Sequence, residues 1–133
     1  MSNTIAMTSL IAAVFIPLVF TGVAAGLRKR QFDHVDAHHP RIQQAQATGP
    51  AARAGGAAAN GWEALATFAP AVVLAASTSP SSGLATIFAL AWIPVRLAHG
   101  VAYIADVPPL RTFLFAIGVA CALGLYLVGG GVL

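Results

Sequence analysis

From Ile5 to Leu27 the chain runs without a single ionisable side chain, far enough to cross the hydrocarbon core of a bilayer as a helix. Inside lipid no water satisfies a backbone N–H or C=O, so a run of this kind folds as a helix that bonds to itself. Pro17 and Gly22 fall within it and are tolerated there, because neighbouring helices supply what the freed backbone groups need. Comparable apolar runs cover about 54–76, 84–104 and 110–128. The chain has 133 residues, of which 58% are hydrophobic and only 8% charged. A soluble domain carries roughly 25% charged residues, which excludes that class. The expectation is one all-α domain over 1–133, an integral membrane four-helix bundle protomer with a polar connection over about 28–52.

The breaks between runs carry the topology. Arg28-Lys29-Arg30 ends the first run, and Gly49-Pro50 precedes a helix that starts near Ala51. The stretch Ser77-Thr-Ser-Pro-Ser-Ser-Gly83 reads as a turn, and Asp106-Val-Pro-Pro109 closes the third run. The opening Met-Ser-Asn-Thr-Ile has no positive leader, so the first run is expected to be a retained span and not a secretory signal. Arg28, Lys29, Arg30, Arg41 and Arg53, five of the seven basic residues, lie in or beside the first connection. The positive-inside rule makes that connection cytoplasmic, as expected of a multi-pass protein of a bacterial inner membrane, with both termini outside the cytoplasm. The net charge of +3 is too small and too local for a nucleic-acid partner. One cysteine, Cys121 in an apolar run, allows no intrachain disulfide and reads as an inert buried thiol.

Against this background Glu63 stands out, one of four acidic residues and set in an apolar helix. In the run Arg53-Ala-Gly-Gly-Ala-Ala-Ala-Asn60-Gly-Trp-Glu63, helical periodicity aligns positions 53, 56, 60 and 63 on one stripe. An ionisable group in a bilayer costs about 2.5–3.5 kcal/mol on insertion scales and faces protein or water instead of lipid. In the third run Arg96, His99 and Tyr103 again share a face, and the topology brings both faces and Arg111 to one side of the membrane. Polar groups gathered at one end predict a bounded cavity and exclude a channel or proton path through the membrane.

Each residue also has a plainer reading. Arg96 could snorkel towards head groups or pair structurally with Glu63, and Asn60 could be an interhelical tie across a small-residue surface. Tyr103, Trp62 and Trp92 suit packing or an interfacial belt, and Arg111 after a Pro-Pro turn suits a surface site. The cluster Asp33-His34-Val-Asp36-Ala-His38-His39 holds metal-ligand residue types, but its spacing matches no metal signature, and no metal is expected. No glycine-rich phosphate loop, Ser-His-Asp set or cysteine pair is present.

The pattern Arg53…Asn60-x-x-Glu63, followed by Phe68 and Pro70, resembles the second-helix signature of the MAPEG family, the membrane-associated proteins in eicosanoid and glutathione metabolism. The run Arg96-Leu-Ala-His99-Gly-Val-Ala-Tyr103, then a short turn and Arg111, is similar to the family's second block, nearest to the microsomal prostaglandin E synthase and microsomal glutathione transferase branch. The resemblance implies a homotrimer with glutathione as cosubstrate, bound between subunits at the cytoplasmic side. Carried over by motif position, Asn60 and Glu63 hold polar parts of glutathione, Arg96, His99 and Tyr103 line the pocket, and Arg28 and Arg53 are further cationic candidates. Arg111 takes the place of the arginine that stabilises the glutathione thiolate, and a nearby cation does lower a thiol's pKa. The implied activity is a membrane-bound transferase or peroxidase acting on lipophilic electrophiles. The alternative is a non-catalytic lipid-binding or scaffold protein of the same fold with a degenerate site, and another low-molecular-weight thiol is a third reading. Two positions depart from the signature: Gly56 stands where an arginine usually precedes the asparagine by four residues, and Phe115 where a tyrosine often follows the catalytic arginine.

Overall fold

The computed structural model describes residues 1–79 and 82–133. Among the described residues there are four long helices and one short one: α1 (Asn3–Phe32), α2 (Pro40–Gln46), α3 (Gly49–Thr78), α4 (Gly83–Ile104) and α5 (Pro108–Gly129). Local sequence sets their ends. The Ser2 hydroxyl accepts from the amide of Ile5 at the start of α1, and Ser82 does the same for Ala85 at the start of α4. Helices α2, α3 and α5 each begin with proline in the first turn, where no N–H is needed. Asp33, at φ 63°, stops α1 in the left-handed region that Asp tolerates better than most residues. The turn expected over 77–83 lies partly outside the described residues, at Pro80 and Ser81; Thr78 ends α3 before it.

Helices α1 and α3 both have 30 residues. At 1.5 Å per residue each extends about 45 Å, well beyond a hydrocarbon core of about 30 Å. The segment 28–52, expected as a polar connection, is therefore largely helical: Arg28–Phe32 continues α1, α2 occupies its middle, and α3 begins already at Gly49. Long basic side chains and glutamine keep good helix propensity, and the basic pair Lys29 and Arg30 suits a helix C-terminus.

Helix α3 packs against α1, α4 and α5. Small residues let these backbones approach: Ala13, Ala54, Ala71, Ala75, Ala85 and Ala89 are fully buried. At Gly61 a Cβ would stand 3.0 Å from Cβ of Pro17, so only glycine admits α1 at this crossing without a shift. Phe68 and Trp92 stack at 3.9 Å between centroids, nearly parallel, and with Val72, Leu125 and Val128 fill the centre. The outside is as apolar as the inside. Met7, Ile11, Phe15 and Val19 project from α1 at successive turns, Ile87, Leu90, Leu97 and Val101 from α4, and Phe113 and Leu123 from α5. Among the described residues α1, α4 and α5 are long and apolar enough to cross a membrane. Helix α3 is absent from that set because Arg53, Asn60 and Glu63 occupy its first half.

Candidate functional site

The polar residues singled out above fall into four local groups. The first joins α3 to α4. Arg96 is 3% exposed, and its Nη2 donates to Asn60 Oδ1 at 2.5 Å and to the Asn60 carbonyl at 3.1 Å. Asn60 Nδ2 donates in turn to Glu63 Oε2 at 3.4 Å. Among the described residues no direct Arg96–Glu63 ion pair is present, so the asparagine stands between cation and carboxylate and touches both. The Arg96 stem runs past Gly118 of α5, where a Cβ would meet Arg96 Cδ at 3.0 Å, and its guanidinium lies 5.9 Å from the Trp92 ring. Arg96 Nε is buried without a hydrogen-bond partner among the described residues. That is a costly state for a charged group, and it marks a place where a further acceptor is wanted.

Arg96, Asn60, Glu63 and Gly118 line a cavity of about 170 Å³. Asn60, Glu63, Thr67 and Arg96 supply the polar side, and Ala64, Phe115 and Val119 the apolar side. Glu63 itself is exposed. It sits on a surface stripe of α3 formed by Ala59, Trp62, Glu63, Ala66, Thr67, Pro70 and Val73. Trp62, open to packing or belt readings from sequence, is 44% exposed on this stripe, whereas Trp92 is core.

The second group lies at the junction of α4 and α5. The Arg111 guanidinium sits 4.5 Å from the centroid of the Tyr103 ring, a cation–π contact. The His99 ring, almost fully buried, meets Tyr103 edge-on at 5.9 Å and Phe115 at 6.2 Å. Phe115 therefore belongs to both groups: it lines the cavity and touches the histidine.

The third group is Arg53, whose Nε donates to the Ile104 carbonyl at 2.9 Å and whose Nη1 lies 3.4 Å from Asp106 Oδ2. Its charge is spent on the α4–α5 turn, one helical turn and more away from the asparagine. Gly56, between them in sequence, faces Tyr103: a Cβ there would stand 2.8 Å from the phenol oxygen. The aromatic ring fills the space in which the signature's arginine would begin. The fourth group is Arg28, which donates from Nη1 to Gln44 Oε1 of α2 while its Nε is buried without a partner among the described residues.

Sequence reasoning missed Thr67, Gly118, Gln44 and Asp106. Thr67 follows Glu63 by four and Gly118 follows Phe115 by three, so extending each stripe by a turn finds both. Gln44 and Asp106 sit in connections, where periodicity says nothing. The Asp33–His39 cluster holds no metal-ligating group of three or more His, Cys, Asp or Glu among the described residues. Its Asp36 instead accepts from the amides of His38 and His39 at 2.9 and 2.8 Å, ahead of α2. Those bonds, that to His39 foremost, hold the Asp36 carboxyl below the usual carboxylate range.

Taken together, long apolar helices, an apolar exterior and a polar cavity about midway along α3, α4 and α5 define an integral membrane protein that offers a charged site to an apolar surrounding. The MAPEG family model matches residues 5–131, nearly the whole length, and the chain belongs to the MAPEG family. No curated protein and no solved structure matches it.

Proposed function

We propose that this chain is a glutathione-dependent transferase or peroxidase of the membrane, acting on lipophilic electrophiles. The observation that carries the reading is the ordered series Arg96–Asn60–Glu63 in the lining of a cavity that Ala64, Phe115 and Val119 also line. A carboxylate and a buried guanidinium suit the ammonium and carboxylate ends of a peptide, and the wall of Ala64, Phe115 and Val119 suits an apolar substrate arriving from the bilayer. Arg111 holds the thiol sulfur as thiolate; the thiolate attacks the electrophilic carbon, the S–C bond forms, and the leaving group departs with its electron pair.

At about 170 Å³ the cavity of one protomer falls below the roughly 300–1,000 Å³ of small-molecule sites. With Glu63 exposed on a face that a bilayer disfavours, this supports a site closed by a second copy, in a homotrimer. Four spans, a bacterial inner membrane, the basic connection in the cytoplasm and both termini outside complete the reading, together with a place in the prostaglandin synthase and glutathione transferase branch. Arg28, with an unpartnered Nε, is the remaining candidate for a glutathione carboxylate.

The packing of Tyr103 on Gly56 and the engagement of Arg53 with Asp106 favour a second reading, a lipid-binding or scaffold protein with a degenerate site. Binding separates the two. The enzyme reading expects saturable glutathione binding with a thiolate absorbance signal, weakened about 10-fold or more in Arg111→Ala and Glu63→Ala. The scaffold reading expects no binding at millimolar glutathione, with both substitutions changing only the stability of the assembly.

A further inference from the structure

Most cationic side chains of the described residues have partners within the chain: Arg28 takes Gln44, Arg53 takes Asp106, Arg96 takes Asn60, and Arg111 lies over Tyr103. Arg30 is different. It is exposed at the end of α1 beside exposed Lys29, and among the described residues no carboxylate lies within 4 Å of it. Two hollows meet at this side chain. One, of about 260 Å³, runs up α1 along Val23, Gly26 and Leu27 and is apolar apart from Arg30. The other, of about 350 Å³, lies between α1 and the start of α3, with Leu27 and Arg30 facing Thr48 and Pro50.

Its floor is polar and fixed: Gln31 Nε2 donates to Thr48 Oγ1 at 2.8 Å, and the Thr48 amide donates to Gln31 Oε1 at 3.2 Å. The Thr48 hydroxyl thus accepts a bond and keeps its own proton to give. Nearby Val35 and Ile42 are exposed apolar side chains in a connection rich in polar residues, as expected of a segment resting in the head-group layer. An apolar trough that ends in an unpaired cation and a hydroxyl donor has the polarity profile of one molecule, an anionic phospholipid.

We propose that the two hollows joined at Arg30 hold an anionic phospholipid, with an acyl chain against Val23, Gly26 and Leu27 and the phosphate against Arg30 and the Thr48 hydroxyl. Lys29 adds to the local positive potential. The site is separate from the Asn60–Glu63–Arg96 cavity and stands or falls independently of the thiol chemistry.

The test uses the full chain in nanodiscs containing equal amounts of phosphatidylglycerol and phosphatidylcholine, followed by release and weighing of the intact particle by native mass spectrometry. The wild-type chain retains phosphatidylglycerol in preference to phosphatidylcholine. Arg30→Gln lowers that preference about fivefold, the amount one basic residue contributes near an anionic surface. Gly26→Leu, which fills the trough at a position where a Cβ meets nothing within 4 Å, lowers retention of both lipids and leaves the fold intact. Arg41→Gln, on α2 and outside the lining of both hollows, lowers the preference less than Arg30→Gln does. Equal phosphatidylglycerol preference in Arg30→Gln and wild type overturns the proposal, as does an equal fall in Arg41→Gln. A change in the number of chains per particle in Gly26→Leu, without a change in lipid, assigns the face to a second copy and overturns it as well.

Discussion

Asn60 is the residue on which the polar cavity depends, because it is the only one of the three to touch both Arg96 and Glu63 among the described residues. Its removal leaves the buried Arg96 with its nearest acceptor gone. Asn60→Ala is expected to destabilise the protomer by about 1–3 kcal/mol, the cost of taking the nearer of two acceptors from a buried charged donor that keeps only the residue-60 carbonyl, measured by denaturant unfolding in detergent. Asn60→Asp keeps the acceptor for Arg96 but loses the donor to Glu63 and sets two carboxylates side by side, so it is expected to recover most of that loss only together with Glu63→Gln. Sequence alone aligned Asn60 and Glu63 on one stripe and Arg96 opposite, but could not say which of the two would receive the arginine. Spacing along a helix fixes a face, whereas the partner depends on side-chain length and on the room that Gly118 gives the Arg96 stem. Gly56 is a similar case. Its role as the seat of Tyr103 follows from the crossing of α3 and α4, and no local pattern encodes it. Gly56→Ala is expected to cost about 1–3 kcal/mol by overpacking against the ring, and Tyr103→Ala in the same chain is expected to relieve part of it. Additive losses in the double variant contradict that contact.

Between elements, the clamp from Arg53 to Ile104 and Asp106 ties α3 to the turn that presents Arg111. Asp106 holds φ 60° there, and with Tyr103 seated on Gly56 the turn is fixed to α3 at two points. Arg53→Ala is expected to speed amide exchange over 104–108 severalfold and to weaken any ligand of Arg111, while the rest of α3 and α4 exchanges as before. Arg53 then acts as a positioning residue, and an unchanged exchange pattern contradicts this. The connection before α3 responds to acid instead. The Asp36 carboxyl titrates below the usual carboxylate range because the His39 and His38 amides bond to its ionised form. A lowered carboxylate pKa contributes order above the unfolded value and loses it as pH falls through the folded one. The His38 and His39 amides are therefore expected to lose protection on acidification below the ordinary Asp range, and in Asp36→Ala at every pH. The length of α1 and α3 was only partly legible in the sequence. Hydropathy reports where lipid stops, and a helix of arginine, glutamine and alanine continues past that point without any apolar signal.

In the molecule as a whole, the apolar exterior and the all-helical bundle were legible because bilayer physics leaves few alternatives for such runs. The placement of α3 was less so: its outer stripe carries Glu63 beside Trp62 to the protomer surface, whereas the sequence predicts only that Glu63 faces protein or water and names no partner for it. An exposed carboxylate on that face supports the proposal of a site closed by a second copy. In mild detergent the particle mass is expected to correspond to three chains, and Trp62→Arg is expected to shift it towards one; a wild-type mass of one chain contradicts the shared site. On the proposed function, the Arg96–Asn60–Glu63 series and Arg111 bind a thiol tripeptide. Titration of the purified assembly with glutathione, read by calorimetry and thiolate absorbance, tests it most directly. A saturable signal that weakens about 10-fold or more in Arg111→Ala and Glu63→Ala is the predicted result. No heat and no thiolate signal from the wild-type assembly at millimolar glutathione would contradict it.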